Sequence, residues 1–214
     1  MDFRTTHAGL DAPVSWMNTS RILYRTRQFW QALGATLAPE DLDLVCEVLT
    51  PAQRMLFERL QMSEKVHSLK VLRALLDQGE DQPDLLVAAL LHDIGKSRFP
   101  LIMLDRILIV LGKTFFPGRV KCWGSEPVGV LNPSYISDRR GLLTETFFRI
   151  WRRPFIVAEK HPAWGAEMAA QAGASPLAVD LIRRHQEQLD PGLGSNFSTE
   201  QHLLRKLQAV DDNS

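Results

Sequence analysis

Cysteine is scarce in this chain. Its 214 residues hold only Cys46 and Cys122, neither in a C-x-x-C pair, which argues against a disulfide scaffold and a thiolate zinc site. Cys46 falls on the apolar side of an expected helix and reads as a small buried thiol. Net charge is absent too: 25 Lys and Arg balance 25 Asp and Glu, so no global field recruits nucleic acid, and none is expected as a partner. Strand-like alternation is nearly missing, as are internal repeats and low-complexity segments. No apolar run reaches the roughly 20 residues of a spanning helix. The strongest, Phe99 to Phe116, is broken by Asp105, Arg106 and Lys113. It reads either as a buried helix or as an interfacial helix over 100–116 in peripheral contact with a membrane or partner. The basic residues Lys113, Arg119 and Lys121 keep the second option open. Met1-Asp2-Phe3-Arg4 leads into no apolar segment, so no signal peptide is expected, and the cytoplasm is the expected location.

What is present is helix punctuation in a globular composition, 45% hydrophobic and 23% charged. Thr50-Pro51-Ala52-Gln53 combines an N-cap, a first-turn proline and a capping-box glutamine. Ser175-Pro176 and Ser198–Gln201 repeat parts of that signature, and Pro83 and Pro162 suit first-turn positions. Gly79 and Gly173 stand where C-terminal caps belong. These signals predict helices near 20–36, 39–48, 51–61, 64–78, 83–95, 100–111, 142–151, 162–172, 176–188 and 199–212. Glycine and proline otherwise crowd into 112–141, which has the composition of a loop. The expected layout is all-α: an N-terminal helical extension over 1–39, then one domain over 40–212 carrying an insertion at about 98–159.

Within the apolar helix that starts at Pro83, His92 and Asp93 interrupt a run of leucines. Burying such a pair is costly unless something charged or hydrogen-bonding meets it, and a divalent cation suits an imidazole and a carboxylate together. His67, His161, His185 and Asp211 lie on further expected helices. The intervals are 25 residues from His67 to His92, 24 from His161 to His185 and 26 from His185 to Asp211. Each is about one helical hairpin, so each could return a ligand to the same end of a bundle. Six ligands exceed the needs of one ion, and Asp93 is the natural bridge between two. A capping role for His161 before Pro162 is a rival reading, and the choice between Asp211 and Asp212 stays open. Lys96 could share a face with Asp93 and His92 and serve the chemistry, or merely complement a helix C-terminus. Arg183 or Arg184 could reach a phosphate.

The segment Leu91-His92-Asp93-Ile94-Gly95-Lys96-Ser97 resembles the H-D-I-G element of a subgroup of the HD-domain superfamily. Val66-His67-Ser68-Leu69, His161-Pro162-Ala163-Trp164-Gly165-Ala166-Glu167, Ile182-Arg183-Arg184-His185-Gln186-Glu187 and Leu207-Gln208-Ala209-Val210-Asp211-Asp212 extend the likeness. It covers about 40–212, with 98–159 unmatched. The resemblance implies an all-α HD-domain helical bundle and a metal-dependent phosphohydrolase. Its binuclear centre would hold two divalent ions such as iron or manganese, with His67, His92, Asp93, His161, His185 and Asp211 as ligands and Asp93 and Lys96 in catalysis. The two ions would acidify a bridging water and clamp phosphoryl oxygens of a small phosphorylated substrate, most naturally a nucleotide. Relatives that cleave a cyclic dinucleotide carry a second histidine after the one matching His185, followed by G-Y-P. Here Gln186 and Pro191-Gly192-Leu193-Gly194 stand instead, which argues against that substrate. Di-iron oxygenases of the same superfamily share the ligand pattern, and a non-catalytic signalling domain is a third possibility.

Overall fold

The computed structural model describes residues 37–125, 142–188 and 198–214, with 142–150 described as backbone only. The expected helix near 20–36 and the Pro191–Gly194 segment lie outside the described residues. Among the described residues there is no strand. The helices are α1 (Pro39–Val48), α2 (Pro51–Glu58), α3 (Met62–Asp77), α4 (Pro83–Leu91), α5 (Met103–Phe115), α6 (Pro117–Gly124), α7 (Leu142–Gln171), α8 (Pro176–Arg184) and α9 (Thr199–Asn213), with a 3-10 turn at Ile94–Arg98.

Local chemistry sets most of these ends. Before α2, the Thr50 amide donates to Gln53 Oε1 at 3.0 Å and the Gln53 amide to Thr50 Oγ1 at 3.4 Å, a reciprocal capping box. Ser175 caps α8 and Ser198 caps α9 through the amides of Ala178 and Gln201. α3 and α7 close over Gly79 and Gly173, whose φ angles of 80° and 77° favour glycine. The following residues, Glu80 and Ala174, donate back to Leu75 and Ala169.

α4 is the central element, touching α1, α2, α3, α8 and α9, which explains why its sequence is apolar on every side. Leu85, Leu90 and Leu91 pack with Leu72 and Leu75 of α3, Ile182 of α8 and Leu204 and Leu207 of α9, all fully buried. A smaller core of Leu101, Ile156, Val157 and Trp164 joins the second half of α7 to the segment after the 3-10 turn.

Several sequence expectations need correction. The separate helices expected at 142–151 and 162–172 are one helix, with Pro154 and Pro162 inside it. The expected helix over 83–95 gives way to the 3-10 turn after Leu91, and the one over 100–111 is displaced to Met103–Phe115. The loop expected from 112 contains α6, because Pro117 serves as a first-turn residue and Gly112 and Gly124 serve close packing. A Cβ on Gly112 would meet the Phe155 ring at 2.5 Å, and one on Gly124 would meet the Phe155 carbonyl at 2.9 Å. Cys46 is exposed, since α1 turns Asp41, Val45 and Leu49 inward and leaves position 46 about 100° away from Val45. Helix α5 is amphipathic rather than wholly buried: Leu104, Ile107, Leu108, Leu111 and Phe115 are exposed. Among the described residues, no helix is long and apolar enough to cross a membrane.

Candidate metal centre

The central helix ends where its chemistry changes. The His92 amide still donates to Ala88, but Asp93 has φ −95° and ψ 2°, and the chain tightens into the 3-10 turn. In such a turn residues three apart nearly eclipse. Lys96 Nζ accordingly reaches Asp93 Oδ2 at 2.5 Å, through the turn rather than along a continued α-helix. The turn lies directly against α7: a Cβ on Gly95 would meet the His161 carbonyl oxygen at 2.0 Å, and the opposing position is Gly165. Backbone contact between the two glycine sites brings Asp93 and His161 together.

Three buried histidines are oriented by the same device. His92 Nδ1 lies 2.9 Å from the Ala89 carbonyl, and His185 Nδ1 lies 2.8 Å from that of Ile182. His161 Nδ1 lies 3.0 Å from Ala158 O and 3.1 Å from Val157 O. Each Nδ1 therefore donates to backbone and turns Nε2 toward the site, where neutral His161 and His185 present a lone pair and His92, in the metal-free protein, holds a second proton. For His161 the proline next to it takes part. Pro162 has no N–H to give to Ala158 O, and the His161 ring takes that carbonyl instead. Pro162 thus acts inside the helix, and His161 is not a cap.

The Nε2 atoms converge on Asp93. Its Oδ1 lies 3.3 Å from His161 and 3.9 Å from His185, and its Oδ2 lies 3.6 Å from His92. Asp211 Oδ1 is 2.7 Å from His67 Nε2 and 3.5 Å from His92 Nε2, so the geometry selects Asp211 over Asp212 as the inward group. Two sets of potential ligands result, His67–His92–Asp93 and Asp93–His161–His185, each with its ligand atoms within 4.8 Å of one another. Asp93 belongs to both. His92 Nε2 and His185 Nε2 are buried and make no hydrogen bond. Buried ring nitrogens left unpaired in this way beside carboxylates fit a divalent cation.

Charge and burial compete throughout the cluster. Burial lowers His185 to about 3, reinforced by His92 and His161, and it lowers His161 as well. Burial also pulls on His92, but the Asp93 and Asp211 carboxylates outweigh it and raise His92 to about 9. Against the pull of burial, Lys96 and His92 hold Asp93 well below the usual carboxylate range, while His92 and the hydrogen bond from His67 do the same for Asp211. A pH dependence follows for the metal-free protein. His185 and His161 refuse a proton that the unfolded chain accepts. The His185 contribution is therefore present above the ordinary imidazole value of 6.5 and lost as pH falls toward about 3, and that of His161 is lost in the same direction. His92 keeps a proton that the unfolded chain releases, so its contribution is present below 6.5 and lost as pH rises through about 9. Thermal melts in chelator should peak near pH 6.5 and fall on both sides. A midpoint flat across that range would contradict this balance.

The cluster lies at the base of a cleft of about 920 Å³. Lys70, Lys96, Arg106, Lys113 and Arg205 line it, and so does Gln186, whose Nε2 is 3.5 Å from His161 Nε2. Sequence reasoning missed Glu64 and Arg106. Glu64 is buried, and Arg106 Nη2 bonds both Glu64 Oε1 and Gln61 Oε1 at 2.9 Å. Burial raises the Glu64 carboxyl, with Lys96 opposing. Its position one turn before His67 was a usable signal, but Arg106 had none, since tertiary packing alone brings α5 there. Arg184 is engaged by Asp180 and Glu187, and neither it nor Arg183 lines the cleft.

The described residues thus form a helical bundle whose imidazoles and carboxylates, gathered at the end of its central helix, could hold a metal ion. The family model of the HD domain matches residues 65–119, which cover His67, His92, Asp93 and Lys96. Over that stretch the chain is similar to HD domains, which bind divalent metals and are usually metal-dependent hydrolases. Neither the curated proteins nor the solved structures yield a match.

Proposed function

We propose that this protein is a metal-dependent phosphohydrolase that cleaves a phosphoester or phosphoanhydride bond, most naturally in a nucleotide, as a member of the H-D-I-G subgroup. The observation that carries the reading is the division of Asp93, one oxygen toward His92 and the other toward His161 and His185. A carboxylate so divided suits two cations, one held by His67, His92, Asp93 and Asp211, the other by Asp93, His161 and His185. When bound, the ions would supply an acidified water and polarise the phosphoryl oxygens.

The chain's own residues do the rest. Nδ1–H to carbonyl bonds fix the three buried rings before any ligand arrives, which would confine reorganisation at binding to the His67–Asp211 and Lys96–Asp93 contacts and the His92 proton. Lys70, Lys96, Arg106, Lys113 and Arg205 line the cleft together with Glu64, Asp93, Glu187, Asp211 and Asp212, so bound divalent cations would tip it toward an anionic substrate. Lys96 holds its ammonium against Asp93 and can stabilise charge that grows on the phosphoryl group. Gln186 beside His161, in place of a second histidine, disfavours a cyclic dinucleotide as substrate. In this reading 40–212 form the catalytic unit, 98–159 an insertion and 1–39 an extension.

The test is elemental analysis of freshly purified protein, followed by turnover of nucleotides and phosphoesters with added manganese or iron. Phosphate release that depends on metal supports the proposal. A fully loaded centre with no phosphate release would overturn it, toward an oxygenase if oxygen is consumed and toward a signalling domain if not. Lys96→Ala should keep its metal and lose about 10²–10³-fold in kcat, the usual cost of one electrostatic donor. Unchanged kcat would remove Lys96 from the mechanism.

A further inference from the structure

The exposed face of α5 is a separate feature of the molecule. Of the ten large hydrophobic residues exposed among the described residues, seven fall within 102–116. Leu104, Ile107, Leu108, Leu111 and Phe115 recur at intervals of one helical turn and share an arc about 100° wide. Leu104 is 66% exposed and Phe115 68%, far more than packing on the body of the protein would leave. The opposite side of α5 is otherwise occupied: Arg106 grips Glu64 and Gln61, and Gly112 lies against Phe155.

Charge says what covers the stripe. From Arg106 to Ser125 the chain contains no Asp or Glu, although the whole protein is neutral. Four cations stand there, Arg106, Lys113, Arg119 and Lys121, and the last two are exposed on α6 directly after the stripe. An apolar arc followed by exposed basic residues is the pattern of a helix lying in the headgroup region of an anionic bilayer. A second copy of the chain would bring the same cations against themselves, which disfavours a self-complementary interface. We propose that α5 and α6 dock this protein on an anionic lipid surface, with the α5 stripe inserted among the acyl chains and Arg119 and Lys121 at the phosphates. Because Arg106 and Lys113 face the cleft from the other side of α5, docking would set the mouth of the cleft beside the membrane.

The experiment is flotation of the full-length protein with vesicles of phosphatidylcholine alone and of phosphatidylcholine mixed with phosphatidylglycerol. The wild type should float with the mixed vesicles and much less with the neutral ones. The triple variant Leu104→Gln, Leu108→Gln, Phe115→Gln changes only exposed positions and should lose binding by about tenfold or more. Arg119→Glu with Lys121→Glu should abolish the preference for phosphatidylglycerol. Circular dichroism and metal content of the variants should match the wild type. The proposal is overturned if the wild type floats with neither vesicle, or if the triple variant floats as well as the wild type. It is equally overturned if the stripe's only effect is on self-association, a wild-type dimer that the triple variant converts to monomer without any lipid binding.

Discussion

Asp93→Ala should empty the metal centre and abolish hydrolysis, with a loss well beyond the about 10–100-fold that removal of an outer-shell partner causes. Both ligand sets include this carboxylate, so its removal opens both together. Lys96, only 22% exposed, also loses its ion-pair partner, which adds a stability cost of about 3 kcal/mol. Asp93→Asn separates the effects, because it preserves volume and a hydrogen-bond acceptor for Lys96 but not the negative charge that, in the proposed function, two cations would share. Asp211→Ala offers the contrast. It disturbs only the His67–His92 side, leaving Asp93, His161 and His185 intact, so it should remove one ion and retain the other. Metal stoichiometry by elemental analysis separates Asp211→Ala from the two Asp93 variants, and denaturant melts separate those two from each other. Full metal content and near-wild-type turnover in Asp93→Ala would sink the assignment of the bridging role.

Gly95→Ala should be the most damaging methyl addition at any described glycine. The new Cβ would meet the His161 carbonyl oxygen at 2.0 Å, with the Gly165 amide at 2.7 Å, and both are backbone atoms of α7 that cannot swing aside. The 3-10 turn must then lift from α7, taking Asp93 away from His161. We expect a destabilisation of about 3 kcal/mol or more, the upper range for overpacking, together with weakened metal retention. Gly79→Ala is the control: its left-handed φ costs about 1 kcal/mol, nothing lies within 4 Å of the added carbon, and the metal centre should be untouched. Denaturant melts paired with metal analysis check both. Equal costs for the two substitutions would show that the turn and α7 are not locked by this contact.

Much of this molecule is local and could be read before folding. The Thr50–Gln53, Ser175 and Ser198 caps, and the glycines at 79 and 173, act within a few residues of themselves, so the chain order carries them. The cost of burying a histidine and an aspartate beside four leucines is likewise a property of composition, and it pointed to His92 and Asp93 directly. Local rules failed where a residue answers to a distant neighbour. Pro162 reads as a helix start, yet it sits mid-helix because the His161 ring supplies the missing donor to Ala158. Gly112 and Gly124 read as loop, yet they let α5 and α6 approach α7.

Chain order alone therefore determined the caps that open α2, α8 and α9 and the glycines that close α3 and α7, which side chains are expensive to bury, and which residues are candidates for a metal. Tertiary structure alone decided how they are placed. It split Asp93 between two sets of imidazoles, chose Asp211 over Asp212, brought Arg106 to Glu64 and turned the apolar face of α5 outward. The reason is one of range. Capping and helical periodicity act over three or four residues, whereas His67 and Asp211 meet across 144 positions of sequence, a proximity that only the packing of α3 against α9 creates.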